Sequence, residues 1–139
     1  MARRVEVVVD SSVAVKWFSP ETKSDKALEL LDSHTQGTVM LWASWILYYE
    51  VANALRYKSD YDVEKLTKAI GSLLRLHLET SSRETELLAR AGEIACDCGI
   101  SIYDSIAVAL AESRATTCLT ADESQYRKLR PKGYPIELL

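Results

Sequence analysis

The chain has 139 residues, 47% of them hydrophobic, and its 20 acidic and 17 basic side chains leave a net charge of -3. That length and apolar content suit one compact domain, residues 1–139, with an expected radius of gyration of roughly 14 Å. The mild acidity excludes a protein that coats nucleic acid by bulk attraction, while leaving room for an acidic metal-binding pocket beside a separate basic rim.

In chain order, the first pattern is the apolar run VEVVV (5–9), which reads as a buried strand and ends in the carboxylate of Asp10 and two serines. A strand covered on both faces offers a charge no water, so Asp10 belongs at an edge, a cap or a site. The start of the chain carries two arginines, but its short apolar run ends in a charge and fails as a signal peptide. A second strand is expected over TVML (38–41), within an uncharged stretch, 37–49, too short to cross a bilayer. Helical spacing follows in WILYYEVANAL, then along Val63, Leu66, Ile70, Leu73, Leu74 and His77, with a short strand expected over HLET (77–80). The next helix carries Leu87, Leu88, Ala91, Ile94, Ala95 and Cys98, with Ser81 and Glu84 as its capping box and Gly99 as its stop. Strands over TTCLT (116–120) and PIELL (135–139) close the series. Strands alternating with helices imply right-handed crossovers and hence an α/β fold, a three-layer α/β/α sandwich around a mostly parallel sheet. In such sheets ligands gather outside the carboxyl ends of the strands, where Asp10 and Asp122 both fall.

Four acids stand out. Asp10, Asp104 and Asp122 each precede or open a helical segment, and each is also explicable as a cap worth about 1 kcal/mol. Asp122 completes a D-x-x-Q box with Gln125, and Ser101 is placed to cap the helix in which Asp104 is the third residue. Glu50 breaks the pattern, because it lies mid-helix, one turn from Ile46 and from Ala54. Buried there as an anion it needs a cation, a hydrogen-bond network or a raised pKa, and Asn53 is spaced to orient it. Four acids meeting at one sheet edge repel one another unless a divalent ion joins them, and an oxygen-only set selects Mg²⁺ or Mn²⁺. Two such ions roughly 4 Å apart activate water and stabilise the leaving oxygen of a phosphodiester. Metal-dependent phosphodiester hydrolysis is the chemistry this pattern suits.

These residues resemble a known family. VVVDSSVAVKWF, YEVANAL, YDSIAVALAE and LTADESQYRKL match, in order and spacing, the PIN-domain ribonucleases and, within them, the VapC-like toxins of toxin–antitoxin pairs. The likeness covers essentially the whole chain and implies a Mg²⁺- or Mn²⁺-dependent endoribonuclease. It places the family's acidic quartet, both catalytic and metal-binding, on Asp10, Glu50, Asp104 and Asp122. It places the small hydroxyl residues beside those acids on Ser12 and Thr120, and Glu123 is adjacent to Asp122 and able to share its duty. At Ser44 the chain departs from the family, whose members often carry Pro there. The resemblance further implies an RNA substrate, a homodimer and a cognate antitoxin protein. The failed signal peptide, the short apolar stretch and the three cysteines lead to the expectation of a cytoplasmic location with no membrane attachment.

Other features have plainer readings. Lys16, shortly after Asp10 in the first matched segment, and Arg56 and Lys58, just after the second, are candidates to flank a substrate groove. Arg127, Lys128, Arg130 and Lys132 read first as a solvated surface near a helix end. Trp42, Trp45, Tyr48 and Tyr49 suit core packing or a subunit seam better than base stacking. Cys96 and Cys98 stand roughly 200° apart around a helix, so they cannot share an ion. The odd total of three cysteines fits a reducing compartment. His34 and His77 lack companions at ligand spacing and are expected packed or on the surface. Two alternatives share the alternating pattern: a phospho-accepting receiver-like signalling domain, which wants an acidic pair at the first strand where this chain has Asp10 alone, and a PIN-like binding module without turnover.

Overall fold

The computed structural model describes residues 4–139. Four parallel strands, β1 (Val5–Val9), β2 (Val39–Trp42), β3 (Cys118–Thr120) and β4 (Ile136–Leu138), lie in the order β2-β1-β3-β4. Helices α1 (Ser11–Ala14), α2 (Ser24–Gln36), α3 (Ile46–Arg56), α4 (Val63–Leu74), α5 (Glu84–Cys98), α6 (Ile102–Ser113) and α7 (Glu123–Leu129) supply the connections. The period-two alternation of β1 explains the layering. Val8 and Val9 are both fully buried but point to opposite faces, each into its own apolar cluster. Val9 packs with Leu41, Leu47, Val51, Leu55 and Leu73 under α1–α4, and Val8 packs with Ile94, Val108, Leu110, Leu129 and Ile136 under α5–α7. The chain is therefore the three-layer sandwich that its pattern implies.

Helix α6 is the most enclosed element, with every residue from Ser105 to Ala111 buried between α5 and the sheet. Its small side chains let α5 approach closely, and the Ser105 hydroxyl donates to the Ala91 carbonyl at 2.8 Å. Asp104 sits just ahead of this buried run, so α6 holds it at the rim of the interior. Among the described residues no single helix is long and apolar enough to cross a membrane.

Several local expectations need correction. HLET is not a strand but contributes one rung, Glu79 opposite Trp42, with Ala43 N–H donating to Glu79 at 2.9 Å and Glu79 N–H to Leu41 at 2.9 Å. The stripe drawn through His77 stops earlier: α4 ends at Leu74, and His77 is exposed in a left-handed conformation (φ 54°) that no helix continues through. Along α4, Ala69 and Leu73 are buried while Val63 and Leu74 face out. Ser81 does not cap α5. Its hydroxyl accepts from Arg83 N–H at 3.0 Å, a local turn that leaves Arg83 at the cap position without a side-chain bond. Gly99 does end α5, in the left-handed conformation (φ 65°) that glycine enters without strain.

Candidate active site

Register fixes the centre of the site. Because β1 pairs with β3 as Val8 to Cys118 and Val9 to Leu119, Asp10 and Thr120 emerge side by side at the carboxyl edge. Asp10 caps α1: one carboxylate oxygen accepts the Ser12 N–H at 2.9 Å and the Ser12 hydroxyl, and the other accepts the Thr120 hydroxyl at 2.6 Å. Those hydroxyls are themselves anchored, since Ser12 Oγ accepts from Ala121 N–H at 2.8 Å and Thr120 Oγ1 from Asp122 N–H at 3.0 Å. Both expected hydroxyl residues thus touch the first acid and tie it to the loop after β3. Burial pushes the Asp10 carboxyl above the usual range, and the hydrogen bonds from Ser12 and Thr120 oppose that rise.

Asp122 caps α7, accepting Gln125 N–H at 3.1 Å, and Ser101 caps α6, accepting Asp104 N–H at 3.0 Å. The capping reading and the cluster reading therefore hold together: a cap fixes where each helix begins, and so where its acid stands. Gln125 has a further role that its box pattern did not reveal. Its buried side-chain amide donates to the Asp104 carbonyl, locking α7 against the start of α6. A continuous chain of contacts now runs from Asp10 through Thr120, Asp122 and Gln125 to Asp104.

Glu50 joins from α3, whose Leu47, Val51 and Leu55 face the core. Its pKa is pushed up to about 7, first by burial and then by the negative charges of Asp10 and Asp104, against a contribution from the Ser11 hydroxyl that favours the ion. Asn53, expected to orient Glu50, is exposed and makes no hydrogen bond to it, and the polar group that favours the Glu50 anion is the Ser11 hydroxyl on α1. Glu50 feels the charges of Asp10 and Asp104, while Asp122 is exposed and linked to Asp10 through Thr120 and to Asp104 through Gln125. Among the described residues no three Asp, Glu, His or Cys side chains stand around a common ion position. In donor chemistry the set fits a hard divalent cation, being all oxygen, and a cation would relieve the repulsion that lifts Glu50. Glu123 turns away, exposed and ion-paired with Arg127 at 3.0 Å.

Beyond the acids, Lys16 and Lys58 lie beside the site and both meet Glu21, at 3.8 and 3.1 Å, whereas Arg56 is exposed with its guanidinium 5.7 Å from the centre of the Tyr57 ring. The carboxyl-terminal basic run is largely committed to local partners: Arg130 to Glu137 and the Ile136 carbonyl, and Lys132 to Asp97. Trp42 is half-buried with Arg114 stacked 4.0 Å from its ring centre, while Trp45 and Tyr49 are exposed. His34 is packed: Nδ1 accepts from Leu41 N–H at 3.1 Å, so Nε2 carries the proton it gives to the Leu76 carbonyl at 3.0 Å. All three cysteines are free.

With this geometry in hand, comparison with known proteins is informative. No curated protein matches the sequence. Solved structures match its fold: VapBC2 from Rickettsia felis bound to a DNA fragment from their promoter (15% identity, 97% of this chain and 99% of that chain, TM-score 0.66); VapC20 from Mycobacterium tuberculosis, a sarcin-ricin loop cleaving toxin (14% identity, 92% and 95%, TM-score 0.70); and a toxin–antitoxin complex from Klebsiella pneumoniae (15% identity, 86% and 89%, TM-score 0.62). At such identities these likenesses speak for the fold alone. The family model described as the PIN domain matches residues 7–130, which include Asp10, Glu50, Asp104 and Asp122, and the chain belongs to the PIN-domain family of nucleases.

Proposed function

We propose that the protein is a divalent-metal-dependent endoribonuclease, the toxin of a toxin–antitoxin pair, acting in the cytoplasm. Asp10, Glu50, Asp104 and Asp122 would hold Mg²⁺ or Mn²⁺, which when bound supplies an activated water and stabilises the leaving oxygen of a phosphodiester. The observation that carries the reading is Glu50: a mid-helix carboxyl, raised to about 7 by burial and by the charges of Asp10 and Asp104, is a costly arrangement unless a cation shares it. Ser12 and Thr120 orient Asp10, Ser11 steadies Glu50, and Gln125 sets the spacing between Asp104 and Asp122. Membership of the PIN family supports nuclease chemistry, and the solved toxin–antitoxin complexes of the same fold support a cognate antitoxin partner. RNA as substrate and a homodimer as the working form belong to the same proposal, and the exposed Trp45 and Tyr49 suit a subunit seam.

The test is incubation of the purified protein with tRNA, rRNA and mRNA pools, with Mn²⁺ or with EDTA, followed by sequencing of fragment ends. Defined cleavage is expected, lost in EDTA and in Asp10→Asn and Asp104→Asn proteins that still fold. Full cleavage in chelator rules out the mechanism, and no cleavage under any condition leaves a PIN-like binding module.

A further inference from the structure

A cleft lies beside the acidic site. Its volume is about 470 Å³, and its inner wall includes Ser12, the residue whose hydroxyl donates to Asp10. Lys16 and Lys58 face each other across it, with Glu21 between them. Lys16 is held nearly covered, its side chain 11% exposed and its Nζ donating to the Thr22 carbonyl at 2.7 Å. Lys58 reaches Glu21 at 3.1 Å from the opposite side, so one carboxylate holds two ammonium groups and the cleft keeps a net positive charge. Tyr57 lines the outer wall, with 78% of its surface exposed.

An all-acidic centre repels a polyanion, so phosphates next to the one being cut need fixed positive charge close by. Two lysines already placed by a competing carboxylate meet that need, since a phosphate can take the position of Glu21 between them. An exposed aromatic face beside paired cations is also the combination on which single-stranded nucleic acids stack a base. Resting on the nuclease reading above, we propose that this cleft seats the nucleotide flanking the scissile phosphodiester of a single-stranded RNA, its phosphate on Lys16 and Lys58 and its base on Tyr57. A paired duplex cannot present a splayed base to Tyr57, so the subsite selects unpaired RNA. Glu21 tempers affinity by competing for the same two lysines.

The test is fluorescence anisotropy of a short fluorescein-labelled single-stranded RNA, and of its duplex, measured with Mg²⁺ on Asp104→Asn protein so that the strand stays intact. Tyr57→Ala in that background is expected to weaken binding roughly tenfold, with Tyr57→Phe restoring it. Lys58→Ala should make the salt dependence shallower by about one ion. Glu21→Gln should tighten binding severalfold, which a merely structural carboxylate would not do. Lys68→Ala, an equal charge change outside the cleft, should leave the affinity unchanged. If the protein with its acids intact cleaves RNA while Tyr57→Ala and Lys58→Ala bind like their parent, or if duplex binds as well as single strand, the subsite is wrong and the nuclease reading stands. If the protein neither binds nor cleaves RNA, both fall.

Discussion

Replacing Glu50 with Gln is expected to stabilise the cation-free protein at alkaline pH. An acid whose pKa is higher in the folded than in the unfolded state binds its proton more tightly when folded. The folded state therefore gains as pH falls from about 7 toward 4.5, and it carries the full penalty above that window. At about 1.4 kcal/mol for each tenfold change in proton affinity, the rise of Glu50 from 4.5 to about 7 corresponds to about 3 kcal/mol. Water reaches part of this side chain and screens its neighbours, which brings the expected gain to about 1–2 kcal/mol. In a domain of this size that raises Tm by about 4–8 °C. The assay is thermal unfolding followed by circular dichroism in EDTA across neutral pH, repeated with Mg²⁺. Glu50→Gln should melt higher than the parent at alkaline pH and show a flatter pH profile, and Mg²⁺ should raise the Tm of the parent more than that of the variant. A variant no more stable than the parent at alkaline pH, with an equally steep profile, refutes the electrostatic account of this site.

Two further outcomes test the scaffold around it. Thr120→Val removes the donor to Asp10 and the acceptor for Asp122 N–H at a fully buried position, and urea unfolding should show a loss of about 1–3 kcal/mol together with weaker RNA cleavage. His34→Ala strips partners from Leu41 N–H and the Leu76 carbonyl at once, so a loss of about 2–3 kcal/mol is expected by the same measurement, with cleavage retained under conditions where the protein stays folded.

The parts of this fold visible in the sequence are those governed by local pattern. Val5–Val9 reads as a strand because a valine-rich run, interrupted only by Glu6, suits a sheet covered on both faces, and Gly99 reads as a stop because a left-handed residue must end α5. Ser101 with Asp104 and Asp122 with Gln125 read as caps because a cap is a contact within one turn. What stayed hidden depends on rotation and reach. Asn53 has the right spacing from Glu50 but faces solvent, and Ser11, next to Asp10 in the chain, approaches Glu50 only because α1 packs against α3. Gln125 shows its cap partner in the sequence, while its grip on the Asp104 carbonyl requires α7 and α6 to meet in space. Ser81 failed as a cap because a shorter local bond was available to the same hydroxyl.

The position of β3 carries a temporal consequence. Asp10 leaves the ribosome early, yet one of the hydroxyls that align it belongs to Thr120, 110 residues later, and arrives on a strand that adds to the free edge of β1 before β4 can pair with it. Chains fold from the amino end as they are made, and contacts so distant in sequence form late. A growing polypeptide would thus hold its first two acids in place while the alignment between them and the last two was still missing. Synthesis itself delays the moment at which the acidic site is complete.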